Sequence, residues 1–231
     1  PATSADGTYN GINGSDVSVT NLDSGAAPGI TVSGISNNTI ENGTTATFTM
    51  SLDTMTSADV VVNLSSNNTT KGTVTPSSFT FTATNWSSSQ TATVTGVDDL
   101  LEDSDQSYTI LTAAATSFDT DYNGFDPSDV TLINFDDDSF GILVTAPSGN
   151  TAETGATSTF TIKLKSLPTA NVNIAVSSND TSEGIVDVSL LTFATSDWSI
   201  PQTITITGQD DSFQDGDQTY QIILGVSSSA D

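Results

Sequence analysis

The 231 residues include no cysteine, no histidine and no arginine, and only three lysines, Lys71, Lys163 and Lys165. Without thiols there is no disulfide framework and no thiolate metal site. Without imidazole as well, zinc, copper and iron lose their usual ligands, which leaves hard, oxygen-seeking cations, calcium first. The same absences remove the triads of nucleophilic catalysis, and no glycine-rich phosphate loop is present. A carboxylate pair of glycosidase type could be assembled from the many aspartates, but ligand clusters account for the same residues better. The expectation is a protein that is not an enzyme. Aromatics make up only 7% of the chain and its longest apolar runs are strand-sized, whereas a spanning helix needs about 20 successive apolar residues. No membrane insertion is expected. Neither an initiator methionine nor a signal peptide is visible, which suits a mature or excised region of an exported, extracellular or cell-surface protein.

Against the three lysines stand 28 acidic residues, a net charge of −25. Nucleic-acid binding, which works by neutralising phosphates with lysine and arginine, is excluded as a function. So large a like-charge excess repels itself in a compact state. Either salt screens it or bound cations offset it.

What the chain does have is internal repetition. Shifted by 112 residues, it overlays on itself without a gap from Gly29 to Asp119. Glu41-Asn42-Gly43 meets Glu153-Thr154-Gly155, and Thr95-Gly96-Val97-Asp98-Asp99 meets Thr207-Gly208-Gln209-Asp210-Asp211. Tyr108 meets Tyr220, and the spacing of Phe81 and Trp86 recurs in Phe193 and Trp198. A period of this length means tandem domains, since solenoid repeats run to about 20–50 residues. The first residues repeat as well, at an offset of 113: Ser4, Asp6, Tyr9, Gly11, Asp16, Val17 and Asn21 return as Ser117, Asp119, Tyr122, Gly124, Asp129, Val130 and Asn134. The organisation expected is a tail at 1–28 that closes a preceding repeat, a complete module at 29–138, and a module at 139–231 that lacks its final strand.

Apolar and polar residues alternate with period two over 45–52, 60–64, 79–82, 91–95, 108–111 and 130–135, with Gly, Asn, Asp, Ser and Pro between. Such alternation marks half-buried strands. No segment sustains a helical period. About seven short strands per hundred residues predict an all-β chain of tandem immunoglobulin-like antiparallel β-sandwiches, joined by a connector at 135–139 too short to be a loose tether.

Acidic residues gather at three places in each copy: a lone Glu41 or Glu153; the loop carrying Asp98, Asp99, Glu102, Asp103 and Asp105, answered by Asp210, Asp211, Asp215 and Asp217; and the linker Asp136, Asp137 and Asp138, for which the tail offers Asp23. Calcium takes six to eight oxygens at about 2.3–2.6 Å, and carboxylates supply both the ligands and the charge. Asp also populates turns. Adjacent aspartates recurring in register beside an acidic linker favour the ion, because carboxylates packed together repel without one. A second segment, Asp119-Thr120-Asp121-Tyr122-Asn123-Gly124, matches the start of a calcium loop. Its twelfth position is Val130 instead of glutamate, so a tight turn anchored by Tyr122 is the better expectation. Trp86 and Trp198 are expected in core packing.

The constellation of Glu41-Asn42, Asp98-Asp99-x-x-Glu102-Asp103 and the exit Val130-Thr131-Leu132 to Phe135-Asp136-Asp137-Asp138 resembles the Calx-beta domain. This is the calcium-binding sandwich of sodium–calcium exchangers, which also recurs in large adhesion proteins. The resemblance covers each copy. It implies that Glu41, Asp98, Asp99, Glu102, Asp136, Asp137 and Asp138 converge on one calcium cluster at the end of the sandwich nearest the linker. Gln214 stands where Glu102 does, so the copies differ.

The function expected is a calcium-stiffened structural repeat of an extracellular filament, stalk or adhesin. The alternative is a module that binds a carbohydrate or a cell-surface receptor. The main partner expected is the chain itself. Residues 16–21 match the closing strand of the complete module, and the second module shows no such strand. Head-to-tail donation of that strand between subunits, or one continuous repeat chain, would each give a linear assembly, with Asp23 joining the neighbour's cluster.

Overall fold

The computed structural model describes residues 3–21, 25–212, 214 and 216–231. Among them there is no helix, and the chain is all-β, built as tandem immunoglobulin-like sandwiches. The first comprises β1 (Ile30–Val32), β2 (Thr39–Ile40), β3 (Thr45–Leu52), β4 (Val60–Ser66), β5 (Gly72–Thr75), β6 (Ser78–Phe81), β7 (Gln90–Gly96), β8 (Gln106–Thr112), β9 (Thr116–Ser117) and β10 (Val130–Phe135). One sheet has the order β1-β3-β7-β5 and the other β2-β10-β8-β4-β6, with β9 also on β4. The second sandwich comprises β11 (Ile142–Val144), β12 (Thr157–Leu164), β13 (Val172–Ser178), β14 (Gly184–Val186), β15 (Leu190–Phe193), β16 (Gln202–Gly208) and β17 (Ile222–Leu224). Its sheets run β11-β12-β16-β14 and β15-β13-β17, and share no strand with those of the first.

Period-two alternation sets the core. In β3 the side chains of Ala46, Phe48, Met50 and Leu52 turn inward while the intervening threonines face out, because successive residues of a strand point to opposite faces. β4, β6, β7, β8 and β10 add Val60, Val62, Phe79, Phe81, Val94, Tyr108, Ile110, Val130 and Leu132. Each fully buried side chain of this size is worth about 1.5–3 kcal/mol. Trp86 packs against this core and Trp198 against the second.

One pairing departs from the antiparallel expectation. The first strand switches sheets: β1 lies antiparallel to β3, and after the crossing β2 lies parallel to β10, with Ile40 opposite Phe135. A strand that keeps its direction while changing sheets meets a neighbour running the same way. The switch carries Glu41 to the end of β10, where its N–H donates to the Phe135 carbonyl at 3.0 Å.

The turn at 119–124 carries its load through protein groups. The Asp119 carboxylate accepts from the Ser57 N–H at 2.7 Å and its hydroxyl at 2.9 Å, and Tyr122, buried, donates its hydroxyl to the Thr54 carbonyl at 2.7 Å. The turn is anchored by tyrosine, as its sequence suggests.

Candidate metal centre

Three segments build one acidic cluster at the linker end of the first sandwich. Glu41 arrives on the turn after β2, the loop beyond β7 brings Asp98, Asp99 and Asp103, and the exit of β10 brings Asp136, Asp137 and Asp138. The loop is tightly wound. Leu100 and Ser104 both adopt positive φ, 66° and 64°, a region that side chains other than glycine rarely enter. Asp98 and Asp99 each accept an N–H two residues on, from Leu100 at 3.3 Å and Leu101 at 3.0 Å. One oxygen of Asp136 accepts from the N–H groups of Asp103 at 2.9 Å and Ser104 at 2.8 Å. The linker is thereby fastened to the loop.

Glu41 lies at the centre and is 1% exposed. Its Oε1 accepts from Lys71 Nζ at 3.1 Å and from Asn134 Nδ2 at 3.3 Å, while Oε2 is buried and has no hydrogen-bond partner. A buried acceptor left unmatched costs about 1–3 kcal/mol, more when charged. Burial, and to a smaller degree the charges of Asp99 and Asp136, push the Glu41 carboxyl above its usual range against the pull of Lys71. Asp138 is also pushed up, by burial and by Asp98, Asp136, Asp137 and Asp99, and its Oδ2 is buried without a partner.

Carboxylate oxygens of Glu41, Asp98 and Asp137 lie within 4.8 Å of one another, as do those of Glu41, Asp136 and Asp138. Two ligands of one calcium ion, each at about 2.4 Å, are at most about 4.8 Å apart. Each triad is therefore within the span that one calcium ion could bridge, and the two share Glu41. The donors are all hard oxygens, and the unmatched Glu41 Oε2 is the kind of atom a cation would satisfy. Glu102 and Asp105 line an adjoining depression with Asp136 and Asp138.

Lys71 is the participant that the sequence did not point to. Its ammonium sits among Asp99 at 2.5 Å, Asp103 at 2.7 Å and Glu41 at 3.1 Å. Burial alone would lower its pKa. The hydrogen bonds to Asp103, Asp99 and Glu41 outweigh that and raise it, so it stays charged. The signal available was that Lys71 is one of three cations in the chain and that its repeat counterpart is Glu183. Asn134 was also missed as a site residue. Wholly buried, it donates to Glu41 Oε1 and to the Val97 carbonyl and accepts from Thr39, whose hydroxyl also meets that of Tyr108 at 3.0 Å.

In the second sandwich Glu153 and Asp217 line one groove together with Glu183, and Asp210 accepts from the Ser212 N–H at 3.1 Å. Among the described residues, these carboxylates and Asp211 form no triad of the kind found around Glu41. Asp23 and Asp215 fall outside the described residues.

No family model and no curated protein matches the sequence. Among solved structures, the chain is similar to the calcium binding domain CBD12 of CALX1.1, with a TM-score of 0.41, 15% identity, and coverage of 83% of this chain and 77% of that one. It is also similar to domains 5–6 of the S-layer protein SbsC, with a TM-score of 0.26, 16% identity and coverage of 87% and 96%. A third is the YadV chaperone, with a TM-score of 0.30, 13% identity and coverage of 87% and 98%. At these scores none assigns a role to this chain.

Proposed function

We propose that the chain is a non-enzymatic structural repeat of an extracellular or cell-surface filament, stalk or adhesin, and that calcium held at the module junction stiffens it. The observation that carries this is Glu41. It is a buried carboxylate with one oxygen unmatched, within one ion's reach of Asp98 and Asp137 on one side and of Asp136 and Asp138 on the other. Those five residues would hold the ion, and Lys71 would keep Asp99 and Asp103 drawn in around it. Calcium supplies charge neutralisation, which the net charge of −25 otherwise lacks.

Stiffening follows from where the ligands are anchored. Asp136, Asp137 and Asp138 are the first residues of the linker, whereas Glu41 and Asp98 belong to the body of the first sandwich. The loop that carries Asp98 also touches the second sandwich, where the Leu167 N–H donates to the Leu100 carbonyl at 2.9 Å. An ion bridging linker and loop restrains the direction in which the chain leaves. Small-angle scattering in calcium and in chelator tests this: the parent should become more extended and less variable with calcium, and the Asp98→Asn/Asp99→Asn variant should not respond. A parent profile indifferent to calcium would refute it.

A further inference from the structure

On the reading of the junction cluster as a calcium site, we infer that the Lys71 ammonium is a built-in cation occupying one calcium position there, so that the first sandwich takes one ion fewer than its carboxylates could hold. An ammonium has three N–H donors and no acceptor. Around that of Lys71 stand three carboxylate oxygens, Glu41 Oε1 at 3.1 Å, Asp99 Oδ2 at 2.5 Å and Asp103 Oδ2 at 2.7 Å. Glu41 comes from the turn after β2, the other two from the loop beyond β7. Calcium takes such oxygens at about 2.3–2.6 Å, so an ion at the Nζ position would find Asp99 in place and would draw Asp103 and Glu41 in by about half an ångström or less. Asp103 also has its Oδ1 buried without a hydrogen-bond partner. The ammonium leaves that atom unsatisfied, whereas calcium accepts a carboxylate through both oxygens.

The backbone delivers the lysine to this place. Asn68 organises the turn between β4 and β5: its carbonyl accepts from the N–H groups of Lys71 at 3.3 Å and Gly72 at 3.1 Å, and its Oδ1 accepts from the Thr70 N–H at 3.2 Å. The Lys71 carbonyl then accepts from the Val97 N–H at 3.1 Å, one residue before Asp98. The turn is thereby pinned to the loop that carries Asp99 and Asp103. Lys71 is 5% exposed and Glu41 1%, so salt screens their contact far less than it screens a pair on the surface.

Glu41 is divided between two cations. Its Oε1 accepts from Lys71 and Asn134, while Oε2 has no hydrogen-bond partner. Asp99 and Asp103, which Lys71 holds, belong to neither of the groups that a single ion can bridge, Glu41 with Asp98 and Asp137 and Glu41 with Asp136 and Asp138. The ammonium keeps one side of Glu41 and leaves the other to calcium. It also brings a single charge where calcium would bring two. In chelator the loop therefore stays fastened to Glu41 through Lys71, and the ion acts on Asp98 and the linker carboxylates.

The repeat supplies an independent comparison. At the shift of 112, Glu41, Asp99 and Asp103 recur as Glu153, Asp211 and Asp215, whereas Lys71 becomes Glu183. The three carboxylates that surround the lysine are kept and the sign of the residue between them is reversed. One chain thus carries two versions of the sequence, one with its own cation and one with a further carboxylate in its stead.

Lys71→Gln removes the charge and keeps a side chain whose amide oxygen can itself ligate calcium. Equilibrium dialysis of the full chain against calcium at fixed ionic strength, with the bound ion counted by atomic emission, should give one more ion per chain for Lys71→Gln than for the parent. Lys71→Glu should also take one more, and bind that added ion at least tenfold more tightly than Lys71→Gln does. A second measurement needs no variant: amine acylation of the parent, read by mass spectrometry, should spare Lys71 in calcium and in chelator alike, while exposed Lys165 reacts in both. A parent that binds calcium beside two variants with the same ion count overturns the inference and leaves the calcium reading standing. Lys71 acylated as readily as Lys165 in either state overturns it too. A parent that binds no calcium beside a Lys71→Gln variant that binds one ion upholds the inference and removes calcium from the parent's junction. No ion on the parent or on either variant overturns both.

Discussion

Replacing Lys71, which is buried, with methionine keeps an unbranched side chain of similar length and deletes the cation. Breaking a buried ion pair by removing one partner costs about 3–5 kcal/mol, because the other charge stays behind. Here three carboxylates are left. The side chains of Asp99 and Asp103 are 23% and 32% exposed and can turn to water, but that of Glu41 is 1% exposed and cannot. The lower end of the range therefore applies, about 3 kcal/mol. At about 4–8 °C per kcal/mol for a domain of roughly a hundred residues, the first sandwich of Lys71→Met should melt at least 10 °C below the parent in chelator. Adding Glu41→Gln should recover a large part of the loss, since it removes the stranded charge. Calcium should narrow the gap too, as one cation replaces another. Calorimetry of the three proteins with and without calcium decides it. A Lys71→Met protein melting within about 2 °C of the parent in chelator would refute the reasoning, because so small a shift corresponds to under about 1 kcal/mol.

Two further expectations follow from groups away from the cluster. The Asp119 carboxyl is held down at about 2 by the Ser57 N–H, the Asp121 N–H and the Ser57 hydroxyl, with Thr56 adding to them. A folded-state pKa below the unfolded value of 3.8 contributes stability that is complete above 3.8 and is lost as pH falls towards 2. Asp119→Asn should therefore be less stable than the parent near neutrality, and the difference should shrink across that acid window. Melting curves that stay parallel from pH 6 to pH 2 would locate the acid sensitivity elsewhere. Gly72 lies against the Tyr108 ring, and a Cβ there would sit 2.3 Å from ring carbons. Gly72→Ala should cost about 2 kcal/mol by overpacking. Gly184→Ala, beside the half-buried Tyr220, should cost less, because that ring has open space to move into. Equal losses on chemical denaturation would count against an open second core.

The strands were legible where hydroxyl residues alternate with apolar ones, and 45–52 is β3 to the residue; 130–135 is β10 to the residue as well, although buried Asn134 and outward Ile133 and Phe135 break the pattern there. The short pieces β1, β2, β5 and β9, of two to four residues, carry too little pattern to be seen. The sheet switch between β1 and β2 is a three-dimensional event that period-two alternation does not record. The acidic residues were legible in outline, since loops that recur in register announce a shared site. Lys71 was not, because an isolated lysine in a turn reads as surface. Only the fold brings its ammonium to Glu41, thirty residues away. Asn134 was hidden for a related reason, since its neighbours in β10 give no hint that its amide bonds both Glu41 and the Val97 carbonyl.

Isothermal titration of calcium into the chelator-treated chain, beside Glu41→Gln and at fixed ionic strength, tests the central claim most directly. Saturable binding by the parent and at least tenfold weaker binding by the variant, about 1.4 kcal/mol, is the result expected if Glu41 is the shared ligand of the junction. No saturable heat with the parent, or an affinity that Glu41→Gln leaves unchanged, would contradict it.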